Sequence, residues 1–226
     1  MILVTGTGRC GSSLMMQTLC YLGVPLIGDP ENYNNVHCLW NSYQLKDDEV
    51  EAVTVKISEE LDFVAREMNP KGYWELPLDD IITRCKKGFG SKDKGQAIKI
   101  IGGLVSELGT EDIEKIILCT RRNREAQAKS TLKLGQTDMQ IAESSGVEGA
   151  HFSDWYREKT YIDVMSMQTT QGCMLDNLIT NYGIPSIDVC FEDILENPKR
   201  EIQSVVHFLE LGDVDISEAV DNVDKR

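Results

Sequence analysis

Residues 2–23 read ILVTGTGRCGSSLMMQTLCYLG, and this stretch decides the fold. Ile2, Leu3 and Val4 form an apolar run suited to a buried strand. Residues 6–13, GTGRCGSS, are small and flexible and carry one cation, Arg9. From Ser12 the period turns helical. Leu14, Met15, Thr18, Leu19 and Leu22 fall at helical spacings, and Gly23 followed by Pro25 reads as a stop. Strand, glycine loop and helix, in that order, build a phosphate site. The loop N–H groups and the positive end of the helix dipole point at the same spot.

Three more apolar runs extend the pattern. Residues 97–101, AIKII, read as a strand interrupted by Lys99 and ended by Gly102-Gly103. Residues 116–119 lie within KIILCTRR. Residues 186–191, SIDVCF, form the last. Asn123 is placed to cap a helix running to Gly135, a long helix is expected over 155–181, and Pro198 opens one ending near Leu209. Strands alternating with helices imply an α/β fold with a mostly parallel sheet, and ligands then sit at the carboxyl ends of the strands. Arg9, Arg122 and the stretch after Phe191 all follow strands in that sense.

Between these elements, residues 28–48 are polar and aromatic without a period, and read as a functional loop or lid. A helix is expected in the second half of 50–68, capped by Ser58 and stopped by Asn69-Pro70. Another opens at Pro77 and runs through Cys85. Residues 136–153 read as irregular. One domain is expected over 1–211, with residues 212–226 an acidic tail that frays.

The chain has 226 residues, 41% of them hydrophobic and 27% charged, with a net charge of −14. Such acidity repels nucleic acid and anionic membranes, so neither is an expected partner. Any anionic ligand needs a local cluster of cations. No apolar run reaches the roughly 18 residues of a membrane span, and the first strand starts at residue 2, so a cytoplasmic protein is expected. Seven scattered cysteines without a C-x-x-C pair suit reduced thiols, and the three histidines have no metal-ligand spacing.

Gly6 and Gly11 have the spacing of the nucleotide-triphosphatase loop G-x-x-x-x-G-K-[ST]. The lysine that contacts the β- and γ-phosphates is replaced by Ser12. The cradle is kept and the γ-phosphate contact is lost. A second basic cluster, Arg121, Arg122 and Arg124, lies at a strand end and helix start, and predicts a second anion site. Two such features imply a ligand with two separated anionic groups.

Taken together, these segments resemble the sulfotransferases that use 3′-phosphoadenosine 5′-phosphosulfate (PAPS). VTGTGRCGSSL (4–14) is similar to the 5′-phosphosulfate loop. KIILCTRRNREAQAKS (115–130) is similar to the 3′-phosphate motif, in which a serine follows the arginine by eight positions, as Ser130 follows Arg122. CFEDILENPKREIQSVVHFLEL (190–211) resembles the family's Y-E-D-L segment, and NPKGYWE (69–75) resembles an element of bacterial members. The resemblance implies a single P-loop-type three-layer domain and in-line sulfuryl transfer to a hydroxyl or amine, with PAPS as donor, 3′-phosphoadenosine 5′-phosphate (PAP) as product and no metal. It implies that Gly8, Arg9, Cys10, Gly11, Ser12, Ser13 and Leu14 line the 5′ site, with Arg9 stabilising developing charge, and that Arg122 and Ser130 hold the 3′-phosphate.

The chain also departs from the pattern. Cys10 replaces the usual serine. Either its thiol is activated at the helix start or only its backbone matters, and the second reading is preferred. Leu14 stands where cytosolic animal members place a tryptophan, and the C-terminal R-K-G loop has no match. Ile101 replaces the histidine that follows the strand lysine, which leaves Lys99 as a catalytic candidate. Glu75 is the first choice of base, with His37 second. A small-molecule or ring-bearing acceptor is expected, walled by Trp40, Tyr43, His151, Phe152, Trp155 and Tyr156. Oligomeric state is left open. A P-loop kinase of a small metabolite and a non-catalytic nucleotide-binding protein are the alternatives.

Overall fold

The computed structural model describes residues 1–27, 94–102, 105, 110–144 and 156–224. The sequence readings for 28–93 and 145–155 fall outside these residues, and with them Glu75, His37, Trp40, Tyr43, His151, Phe152 and Trp155.

Four described strands form one parallel sheet: β1 (Ile2–Gly6), β2 (Ala97–Lys99), β3 (Lys115–Thr120) and β4 (Ser186–Cys190). The order is β2-β1-β3-β4, with Ile2 opposite both Ala97 and Lys115 and Ile116 opposite Ser186. The described helices are α1 (Ser12–Tyr21), α2 (Arg124–Ser144), α3 (Tyr161–Tyr182), α4 (Phe191–Glu196), α5 (Pro198–Leu209) and α6 (Ser217–Asp224). The α/β reading holds, with helices on both faces.

The pleat explains why β1 and β3 read as apolar runs, whereas β4, at the edge of the described sheet, exposes Ser186 and Asp188. Alternate residues point to opposite faces, and both faces are covered. Ile2 and Val4 join Met15, Leu19 and Ile117 on one side, where α1, α5 and α6 pack. Leu3 joins Ile98, Ile116 and Leu118 on the other, against Leu175 of α3.

Three boundaries differ from expectation. Helix α2 continues past Gly135 to Ser144. Gly135 is not a stop: a Cβ there would lie 2.3 Å from the Tyr156 ring, so the residue permits a close approach from inside the helix. Helix α3 starts at Tyr161, where Thr160 and Asp163 form a reciprocal capping box. The expected frayed tail is corrected as well. Residues 217–224 form α6, which buries Ala219 and Val223 against the core. Acidic residues on its outer side hid this short apolar face. No described helix is long and apolar enough to cross a membrane.

Candidate functional site

The strand order gathers the cationic segments at one edge. The loop 7–11 leaves β1, which lies between β2 and β3; β2 ends in Lys99, and Arg121-Arg122 follow the end of β3. Gly11 caps α1 in a left-handed conformation (φ 94°) and supplies no side-chain cap. It also has no room for a side chain, since a Cβ would meet the Phe191 ring at 2.7 Å. The first bond of the helix is Met15 N–H to Gly11 C=O at 3.0 Å, so the N–H groups of the first turn precede the helical ladder. Such a start favours a negative charge.

Cations flank this start. Arg9 itself holds a left-handed φ of 62°, costly for a side chain other than glycine. Its Nε donates to Ser130 Oγ at 3.1 Å, across 121 residues of sequence. Its carbonyl accepts from Arg121 Nη1 at 3.3 Å. On the other side of the loop, Lys99 Nζ donates to Ser13 Oγ at 2.9 Å. Gly8, Arg9, Ser13, Lys99 and Ser130 are thus within one neighbourhood. The Leu14 side chain is in the core, so only its backbone N–H is available to a ligand.

Cys10 is 1% exposed, and burial raises its thiol pKa, although hydrogen bonding with Ser12 and the charge of Lys99 pull the other way. Burial thus works against an activated, low-pKa thiol and favours the backbone reading of Cys10. The Tyr156 ring, expected on the acceptor side, is buried with Ala128 and Val164 in a small core.

The second basic cluster is arranged differently from expectation. Asn123 accepts the Ala126 N–H at 2.9 Å, as an N-cap does. The N–H groups of Arg122 and Asn123, however, donate to the carboxylate of Glu192, at 2.8 and 3.2 Å. The helix start that predicted a free anion site thus holds the protein's own anion. Burial alone would raise the Glu192 carboxyl pKa, but those two N–H donors and the Cys190 thiol outweigh it, and the pKa falls to about 2. The Arg122 guanidinium binds Asp193 and lies 3.7 Å from Glu196; its bond to Asp193 raises its pKa. Arg121 instead stacks 4.9 Å over the Phe191 ring, beside the loop.

Two residues with no sequence signature lie behind the loop. Gln127 of α2, fully buried, shares the two hydrogens of Nε2 among Thr7 Oγ1 at 2.8 Å and the carbonyls of Gly8 and Thr7 at 2.8 and 3.2 Å. Gln168 of α3, 1% exposed, donates to the Gly8 carbonyl and to Thr131 Oγ1, both at 3.0 Å. Glutamine on a helix reads as a solvated face, so neither stood out.

No family model matches the chain, and no curated protein matches it. Among solved structures, the sulfotransferase domain of the Synechococcus PCC 7002 olefin synthase aligns with a TM-score of 0.44 at 14% identity, over 99% of this chain and 76% of that one.

Proposed function

We infer that the chain is a sulfotransferase that moves a sulfuryl group from PAPS to an acceptor hydroxyl or amine. The observation that carries this reading is the Arg9–Ser130 hydrogen bond. It joins the loop that resembles a 5′-phosphosulfate site to the segment that resembles a 3′-phosphate site. A donor with phosphates on both ends of one nucleoside fits such a junction.

The residues present suit that donor. The uncapped start of α1 and the loop around it would hold the 5′ end, with Arg9 and Lys99 supplying positive charge. When bound, the donor supplies the sulfuryl group. Arg9 and Lys99 stabilise the negative charge that builds on the leaving phosphate, a task worth several kcal/mol in comparable sites. Ser130 and Arg122 hold the 3′-phosphate, and Arg122 exchanges a carboxylate partner for it. Ser12 in place of the loop lysine disfavours a γ-phosphate. Glu75 takes the acceptor proton in this reading, with His37 second, and the acceptor is a small or ring-bearing molecule.

Calorimetry with PAP and ADP tests the donor class. PAP is expected to bind more tightly by at least about tenfold, or roughly 1.4 kcal/mol, and Arg122→Ala is expected to abolish the preference. A sulfuryl-transfer assay with PAPS over a panel of phenols, alcohols and amines tests the reaction. Equal binding of ADP, or magnesium-dependent ATP turnover, would overturn the reading in favour of a kinase. PAP binding without transfer to any acceptor would mark a binding protein.

A further inference from the structure

We propose that Gln127 and Gln168 are positioning residues that aim the loop's N–H groups at the bound anion by holding its carbonyls from behind. The chemistry of the peptide bond makes the argument. A trans peptide is planar, so its C=O and N–H point in opposite directions. The Thr7 carbonyl shares a plane with the Gly8 N–H, and the Gly8 carbonyl shares one with the Arg9 N–H. Gln127 Nε2 binds both carbonyls, and Gln168 Nε2 binds the second of them. With both carbonyls fixed toward α2 and α3, the N–H groups of Gly8 and Arg9 face the opposite way, toward the mouth of the loop.

The arrangement is specific. The Gly8 carbonyl receives two donors from two different helices. Thr131 of α2 lies between them: its Oγ1 accepts from Gln168 Nε2 and donates to the backbone carbonyl of Gln127. Gln168 Oε1 is buried without a hydrogen-bond partner among the described residues. Turning that amide over would set its oxygen against the Gly8 carbonyl, so the nitrogen belongs where it is. Burying two amides costs desolvation, which their bonds to the Thr7 and Gly8 carbonyls offset, and apolar side chains in their place would leave those carbonyls without these donors. What the amides achieve is a fixed orientation of peptides 7–8 and 8–9, next to an arginine held at a positive φ. An anion-binding loop whose N–H groups are set before the ligand arrives loses less order on binding.

The assignment of the anion as the donor's 5′-phosphate rests on the sulfotransferase reading, whereas the clamp itself does not. The full chain is compared with its Gln127→Leu and Gln168→Leu variants in two ways. Backbone NMR order parameters of residues 7–10 without ligand are expected to fall in each variant from the rigid range of about 0.85 toward about 0.6, while those of β3 stay unchanged. Calorimetry then compares PAP with adenosine 3′-monophosphate, which lacks the group the loop would hold. PAP is expected to lose at least about tenfold in affinity, and the monophosphate less than about twofold. A residue that only supports the fold would weaken both ligands alike, and that result overturns the proposal, as do unchanged order parameters. If wild-type protein binds neither nucleotide, the donor reading fails and the order parameters alone decide the clamp. If Gln127→Leu does not fold, Gln168→Leu decides both measurements.

Discussion

The Glu192 carboxylate accepts the backbone N–H of Arg122 at 2.8 Å and that of Asn123 at 3.2 Å, closing the start of α2 from across the β4–α4 junction. This contact titrates. The carboxyl pKa is about 2 in the fold against an ordinary 4.5. A depressed folded pKa means stability that is present above pH 4.5 and lost as pH falls toward 2. Glu192→Gln is expected to cost on the order of 1–3 kcal/mol at pH 7. Urea unfolding at pH 7, 4 and 2.5 should show the two proteins converging as the pH drops. A difference that stayed constant over that range would remove the carboxylate from this role.

Much of the frame around this contact was legible in the chain. Residues 2–4 and 116–119 read as short apolar runs because β1 and β3 are covered on both faces, and 97–101 and 186–191 read as the same kind of run with one or two polar residues in it. What escaped has a shared cause: sequence patterns report a residue's polarity, not what it touches. Gly135 carries the mark of a helix stop but serves the packing of Tyr156. Gln127 and Gln168 carry the mark of solvent-facing positions but bind loop carbonyls. Glu192 was read as part of a motif, and nothing local says that its carboxylate reaches residues 70 positions earlier. The junction of Arg9 with Ser130 depends on strand order, which no single segment encodes.

Cys10 lies in the loop yet is expected to be chemically quiet. Its thiol is buried, and burial pushes its pKa above the ordinary value, which disfavours the reactive thiolate. Iodoacetamide at pH 7.5 should label the exposed Cys173 quickly and Cys10 only after unfolding, read by peptide mass spectrometry. Rapid labelling of Cys10 in folded protein would restore the activated-thiol reading.

Helix α6 is expected to be part of the folding unit. Val223 is 2% exposed and packs in the same cluster as Leu19 and Val205. Val223→Ala removes two buried carbons, and the cost should be about 1–2 kcal/mol. Asp221→Asn, at an exposed position on the same helix, should cost less than about 0.5 kcal/mol. Equal denaturation midpoints for Val223→Ala and wild type would return residues 212–226 to the status of a frayed tail.

The bond from Arg9 Nε to Ser130 Oγ predicts coupled, unequal losses. Ser130→Ala removes one hydroxyl that would serve the 3′-phosphate. It should weaken PAP binding by about tenfold, the scale of one hydrogen bond to a charged group. Arg9→Met removes the charge expected to act on the leaving phosphate, so it should lower kcat by roughly 10²–10³ with a smaller change in PAP affinity. The same substitution also frees the Ser130 hydroxyl from its arginine partner. The two residues touch, so the double variant should bind PAP more tightly than the product of the single losses predicts, by about 0.5–1 kcal/mol of coupling. Calorimetry on the four proteins measures this term. Strict additivity in binding would mean that the two motifs act on separate ligands, and the single two-ended donor site would have to be abandoned.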